Sequence, residues 1–393
     1  MPEAGTIAIG RPFVERADGK ARLTSVIRRD DVDVPVWVEV EDRYGRYLCD
    51  ERSDAFLLGL LNLAMREGRD VVCEAPVGAQ LLFQLRTYLI PILANHDPRL
   101  RAISVVAEPD GRELPCAGAV ATGASCGVDS MHAIMNYGGG DPAKPRLTHL
   151  VLNKIGGIAV RRGRWDAKVR HVADFCSRYG FELVAVGSNF SVAFPQDHLL
   201  TDFYSNSLCV YALCKLWNVY FYGSAGFDIS HFSVTDSSLY GCALYDLLAF
   251  DVFSTKSLRI YSEGMDVERF EKLRRIADFA PSHTHLDVCL RNSGRNCGDC
   301  PKCRRTQIML DALGRLDDYA DVFDVAAYRA NRKHYLRWLY EQQIRPDGDF
   351  ETIPAYAVLK SDVTFRIKWP VWTHELRRRL SLAFGSRGGG HGR

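Results

Sequence analysis

The chain predicts an α/β fold built on a parallel sheet, and two observations carry that expectation. From about residue 116 short apolar runs alternate with segments of helix length. The first of these runs opens through a loop of small residues into a helix, in the stretch "GASCGVDSMHAI", Gly123 to Ile134. Strand–helix alternation of this spacing closes as parallel strands joined by crossovers, with helices on both faces. Ligands then bind beyond the carboxyl ends of the strands. A site is therefore expected among the loops Gly123–Ser130, Asn153–Arg164, Ser188–Tyr204 and Ser224–Tyr240.

Taken in order, residues 1–115 read as a small N-terminal α/β unit. "VPVWVEVE" alternates like a strand, "DRYG" is a turn, and "RYLCD" is expected to return as its hairpin partner. "SDAFLLGLLNLAMREG" reads as a helix capped by Ser53 and ending near Gly68. "DVVCEAPV" is a short buried strand. "AQLLFQLRTYLIPILANH" is helical, with Pro91 expected to kink or end it. "LRAISVVAEP" closes the unit, which carries no catalytic constellation and reads as a scaffold or a surface for a partner protein.

Residues 116–260 form the strand–helix domain. "CAGAVATGA", "RLTHLVLNKI", "FELVAVGSN" and "NVYFYGSA" are its strands; "SMHAIMNYG", "WDAKVRHVADFCSRYG" and "NSLCVYALCKLW" are its helices. Residues 261–315 hold a polar helix, "DVERFEKLRRIADF", and a cysteine cluster. Residues 316–393 add helices ("AAYRANRKHYLRWLYEQQ") and a basic tail whose glycine-rich end is expected to be disordered.

Composition excludes more than it assigns. A net charge of +2 over 393 residues gives no basis for nucleic-acid or membrane binding. No apolar stretch reaches the roughly 18 residues of a membrane span, and "MPEAGTIAIG" has no secretory pattern, so a cytoplasmic protein is expected. Eight cysteines are scattered through mostly apolar runs and read as small core residues of a reducing compartment. Cys209 and Cys214 are read this way. Arg161, Arg162, Arg164 and Arg170 read as a solvent-exposed basic cluster. His198, His231, His283 and His285 show no metal spacing with carboxylates.

Two segments carry chemistry. A loop that leaves a strand and opens a helix is an anion site, because free N–H groups and the positive end of the helix dipole face one point. Gly123 and Gly127 allow close backbone approach, and Ser125 and Ser130 add hydroxyls. Asp129 repels phosphate, so it either holds the loop or binds Mg²⁺ lying between it and the phosphates. The loop is neither a Walker loop nor a dinucleotide fingerprint. Asn153 and Ser188 end strands on the ligand side and are expected to line the pocket. The second segment, "CLRNSGRNCGDCPKCRRT", spaces Cys289, Cys297, Cys300 and Cys303 as C-x7-C-x2-C-x2-C. Four thiolates so close together point to a structural Zn²⁺ with no open coordination position. An iron–sulfur cluster is the rival.

"SCGVDS", Ser125 to Ser130, resembles the S-G-G-x-D-S pyrophosphate-binding loop of the PP-loop ATP pyrophosphatases, with Cys126 standing where that family has Gly. With the four-cysteine segment roughly 160 residues downstream, the chain resembles the 7-cyano-7-deazaguanine synthases. The similarity runs over roughly residues 118–312. It implies a Rossmann-like PP-loop domain that binds ATP through Ser125, Cys126, Gly127, Val128, Asp129 and Ser130. It also implies Mg²⁺, and a structural Zn²⁺ on the four cysteines. Within "YGSAGFDISHFSVTDSSLYG" it places Asp228 and Asp236 near the substrate. Within "STKSL" it places Lys256 near the phosphates. Arg305 matches a basic residue that follows the cysteines. Asp129, Lys256, Asp228 and Asp236 are thus the expected catalytic set.

The function so implied is an adenylating enzyme that splits ATP into AMP and pyrophosphate. It would activate a small-molecule or protein acid for amide or nitrile formation. Two alternatives stand beside it: a sulfur-transferring PP-loop enzyme acting on RNA or a small molecule, for which Cys126 is the one loop candidate, and a nucleotide-binding module without catalysis that serves a partner through the N-terminal unit. A homodimer is compatible with all three.

Overall fold

The computed structural model of the chain describes residues 5–156, 163–224, 226–235, 241–292 and 294–385. It divides into two compact units, Met1–Glu268 and Arg269–Arg393.

The first unit is built on one mostly parallel sheet. Its strands are β1 (Thr6–Ile9), β2 (Phe13–Ala17), β3 (Lys20–Arg29), β4 (Val32–Glu41), β5 (Asp70–Cys73), β7 (Val105–Val106), β9 (Ala119–Gly123), β10 (His149–Asn153), β11 (Glu182–Ser188), β12 (Trp217–Gly223) and β13 (Arg259–Glu263). The short strands β6 (Val77–Gly78) and β8 (Pro109–Asp110) pair separately. The order is β13-β12-β9-β10-β11-β4-β3-β1-β5-β7, with β2 on β3. The block from β13 to β11 is parallel throughout. β4 joins β11 antiparallel and starts an antiparallel group with β3, β2 and β1. β5 and β7 then continue parallel to β1. The strands before and after residue 115 thus share one sheet.

Local chemistry explains the antiparallel group. Arg29 pairs with Val32 across Asp30 and Asp31, whose φ values are 50° and 60°. Ala17 pairs with Lys20 across Asp18 (φ 53°) and Gly19 (φ 73°). Both are two-residue turns with positive φ at each central position, the geometry that matches strand twist. The hairpin partner of β4 is therefore β3. The expected return strand "RYLCD" is absent, and Asp42–Tyr47 winds as a 3-10 turn instead.

The short antiparallel pairing of β4 with β11 is extended by a side chain that imitates backbone. Asn189 Oδ1 accepts from Trp37 N at 2.8 Å, and Asn189 Nδ2 donates to Pro35 O at 2.8 Å. The helix Asp54–Glu67 is buried almost all round, as an apolar helix inside a core must be. Gly59 lets it approach the helix His198–Ala212, since a Cβ there would sit 3.2 Å from Leu208 Cβ. Gly68 ends it at φ 68°, the left-handed cap that glycine supplies. Pro91 does not end its segment. The chain widens into a π turn over Leu85–Leu89 and resumes as the helix Ile90–His96. The wider turn absorbs the N–H that Pro91 lacks and the clash of its ring with the carbonyl one turn back.

The second unit is helical, from Arg269–Ile276 to Phe365–Gly385, around buried Tyr319 and Tyr328. The helix Pro301–Ala312 carries Cys303 and follows the other three clustered cysteines. No helix among the described residues is long and apolar enough to cross a membrane. The glycine-rich end from 386 onward lies outside the described residues.

Candidate functional site

β9 ends at Gly123, four residues turn, and the helix Val128–Tyr137 begins. Ala124 N donates to Val151 O at 2.8 Å, which ties the start of the turn to β10. Cys126 has φ 56°, a value few side chains adopt and glycine takes freely. Its thiol is fully buried. Ser125 is exposed, and its Oγ accepts from Gly127 N at 3.3 Å. Ser130 Oγ donates back to Gly127 O at 3.0 Å. Gly127 is extended, with φ −78° and ψ 177°, and hands the chain into the helix. The first-turn amides of this helix have no intrahelical acceptor. Asp129 packs against the end of β12: a Cβ on Gly223 would lie 3.3 Å from Asp129 Cβ.

Polar side chains that the sequence did not reveal cluster at the same carboxyl edge. His132, one turn beyond Asp129, is fully buried, with Nδ1 3.0 Å from Glu263 Oε1 at the end of β13. Asn136 Nδ2 donates to the same oxygen at 2.8 Å. His132 Nε2 and Glu263 Oε2 have no hydrogen-bond partner among the described residues. This group fastens the helix that follows the loop to β13. A second group surrounds Asn153, whose Nδ2 donates to Asn206 Oδ1 at 2.9 Å. Tyr222 Oη donates to Asp202 Oδ2 at 2.7 Å, and burial pushes the Tyr222 hydroxyl well above its ordinary range. His198 Nε2 lies 3.4 Å from Asp202 Oδ1, and Gly156 makes room for its ring. A polar residue at the end of an apolar strand run is the one sequence signal that could have marked Glu263 and Tyr222.

Beyond β12, Asp228 caps the short turn Ile229–His231 by accepting from Ser230 N at 2.9 Å. The Ser230 contacts, the hydroxyl first, hold its carboxyl below the usual range. Asp228, His231 and Glu268 offer ligand atoms within 4.8 Å of one another and could hold a metal ion. The expectation that His231 has no carboxylate partners at metal spacing is thus corrected. The contact depends on Ile229 N bonding Met265 O at 2.8 Å, which folds the segment after β13 onto the turn.

Other expected residues stand elsewhere. Ser188 closes a strand, but its hydroxyl donates to Trp37 O at 2.8 Å and accepts from Phe190 N at 3.1 Å. It pins β11 to β4 and does not line an open pocket. Lys256 precedes β13, so it lies at the amino end of the parallel block, opposite the loop that follows β9. The helix Asp246–Phe253 carries the chain back across the sheet before Lys256 is reached. Arg305 pairs with Asp349 at 3.0 Å and Glu351 at 2.9 Å inside the second unit. Asp236, Arg161 and Arg162 lie outside the described residues. Cys209 is fully buried and Cys214 partly so.

In the second unit Cys289, Cys297, Cys300 and Cys303 bring their sulfurs within 4.8 Å of one another and could hold a metal such as zinc. Cys297 and Cys303 Sγ are 3.9 Å apart, near the ~3.8 Å edge of a tetrahedron with 2.3 Å Zn–S bonds. Leu290 N donates to Cys300 Sγ at 3.4 Å, Asn292 N to Cys289 Sγ at 3.2 Å and Cys300 N to Cys297 Sγ at 3.3 Å. Such N–H···S contacts favour thiolate over thiol. The Cys300 thiol is drawn down, first by the Cys303 thiol that donates to it. Cys303 is correspondingly pushed up. Gly294 (φ 81°) and Gly298 (φ 75°) make the turns between ligands.

Comparison of the chain with protein-family models, with curated proteins and with solved structures finds no match.

Proposed function

We propose that the chain is an ATP-dependent adenylating enzyme, which splits ATP into AMP and pyrophosphate to activate a carboxylate for amide or nitrile formation. The reading starts from the resemblance of "SCGVDS" to PP-loops and of the whole segment to 7-cyano-7-deazaguanine synthases. The observation that supports it most is the backbone at Cys126. At φ 56° it follows the path open to the glycine of the family motif, so the substitution leaves the loop's course intact.

In this reading the amides at the start of the helix Val128–Tyr137 bind the β and γ phosphates. A carboxylate oxygen of the substrate attacks the α phosphorus, the bond to the bridging oxygen breaks, and pyrophosphate leaves. Its developing charge falls on pre-oriented N–H groups, which need no reorganisation. Ammonia or an amine then attacks the acyl carbon of the adenylate, the C–N bond forms and AMP leaves; a nitrile requires the amide oxygen to be activated by a second ATP and lost with its AMP. A divalent ion accompanying ATP would neutralise phosphate charge; either Asp129 or the separate Asp228–His231–Glu268 group would hold it. Zinc on the four cysteines would be structural, since sulfur fills every position. Adenylation is favoured over sulfur transfer as the reading by the full burial of Cys126. Cys176, which interacts with it, has its thiol pushed up to about 12, mainly by burial.

Val128→Pro tests the phosphate contacts. Proline is tolerated at the first helical position, and Gly127 already has the extended geometry a pre-proline residue needs. The change deletes one N–H. ATP affinity, read by calorimetry, is expected to fall about tenfold with the fold kept. Unchanged affinity would remove the loop from the nucleotide site.

A further inference from the structure

A cavity of about 530 Å³ lies at the amino edge of the parallel strands, on the side away from the loop Ser125–Ser130. Its volume falls in the range of small-ligand sites. One wall is the helix Ala79–Gln84 with the π turn Leu85–Leu89; the other is the end of the helix Asp246–Phe253 with the segment that enters β13. Gln84 Nε2 donates to the carbonyls of Val252 and Ser254 and so locks the walls together. Gln80 Oε1 accepts from Lys256 N at 3.0 Å and fixes the start of the Lys256 side chain.

The lining is chemically divided. Phe83 and Tyr88 are 56% and 48% exposed and meet edge to face, with centroids 5.8 Å apart and planes at 87°. Leaving two large rings in water costs apolar surface that the fold does not recover. They stand on and beside a π turn, a feature that often accompanies binding sites. Facing them, Lys256 has no carboxylate within ion-pair distance among the described residues. Arg259, the other cation, is engaged by Asp251 at 3.1 Å and lies over the Tyr261 ring at 5.2 Å. The cavity thus offers an aromatic wall and one uncompensated positive charge.

We propose that this cavity binds a planar aromatic molecule with a single anionic group. The ring packs against Phe83 and Tyr88 at the 4.5–7 Å centroid spacing of aromatic pairs. The anion sits on Lys256, whose ammonium is a point charge that accepts carboxylate and phosphate alike. With Arg259 held by Asp251, a second anionic group on the ligand finds no partner. This site is independent of the adenylation reading and assigns Lys256 a role away from the ATP phosphates.

The test is calorimetric titration of the full chain with 2-naphthoate, 2-naphthyl phosphate and neutral 2-naphthylmethanol, each with and without saturating Mg-ATP. At least one anion is expected to bind, and comparing the two identifies the preferred group. The neutral alcohol should bind about tenfold more weakly than the better anion. Lys256→Ala and Tyr88→Ala should each cost that anion about tenfold in affinity while the thermal midpoint stays put, and ATP should not compete. Failure of both anions to bind, equal binding to Lys256→Ala, or displacement by ATP would overturn the proposal. Adenylation is scored separately from AMP release, which Lys256→Ala should leave unchanged.

Discussion

At Cys126 a side chain with a Cβ occupies a left-handed backbone, and this sets the local energetics. A non-glycine residue there costs about 1–2 kcal/mol, offset in part by burial of the thiol. Cys126→Gly is expected to leave stability within about 1 kcal/mol of wild type and AMP formation unaltered. Cys126→Val, β-branched at the same φ, should lower urea stability by about 2 kcal/mol; a neutral Val variant would mean the backbone relaxes out of that region. Gly223 tests the neighbouring contact. Gly223→Ala places a methyl 3.3 Å from Asp129 Cβ, so the first helical turn must shift by tenths of an ångström. A fall of about tenfold in AMP formation is expected, with an unchanged circular dichroism spectrum; an unchanged rate would show that Asp129 need not be held there. The strand–turn–helix around Cys126 was legible in the sequence because it is contiguous. Ser188 and Lys256 were misplaced because a residue's distance from a strand end does not say whether its hydroxyl is already engaged, or to which edge the next helix returns.

Between elements, the helix Asp54–Glu67 meets β6 through a buried carboxylate. Asp54 Oδ1 accepts from Gly78 N at 2.9 Å, yet burial dominates and pushes the Asp54 carboxyl up to about 6 from 3.8. Below pH ~4 the group is protonated in both folded and unfolded chains. Between ~4 and ~6 only the unfolded chain is ionised, so folding loses stability as pH rises through that window, by up to about 3 kcal/mol. Asp54→Asn keeps the acceptor and removes the titration. The change in urea stability between pH 4.5 and pH 7 should differ between variant and wild type by about 2 kcal/mol, the variant being favoured at pH 7. Identical pH profiles would contradict the assignment. At this scale the strand–helix rhythm after residue 116 was legible from apolar spacing. The β2–β3 hairpin is signalled by Asp18-Gly19, while the β3–β4 turn uses Asp30-Asp31, a weaker signal than Asn-Gly. The π turn before Pro91 leaves no mark beyond the proline itself.

Across the molecule, two units carry separable chemistry, a sheet edge rich in polar groups and a four-sulfur centre. The cysteine centre was fully legible, because ligand spacing within one short segment constrains three dimensions directly. The carboxyl-edge groups around His132–Glu263 and Asn153–Asn206 join residues far apart in sequence and could not be read from it. Zinc at the sulfurs predicts about one zinc ion per chain by elemental analysis, lost in Cys303→Ser together with a clear drop in the thermal midpoint; iron with a visible absorption band would contradict it. The central claim is the site of ATP cleavage, and the direct measurement is the labelled product from α-³²P-ATP, incubated with the full chain, Mg²⁺ and a panel of carboxylic acids. The account predicts labelled AMP with release of pyrophosphate, abolished by change at Asp129. Labelled ADP in place of AMP would contradict it.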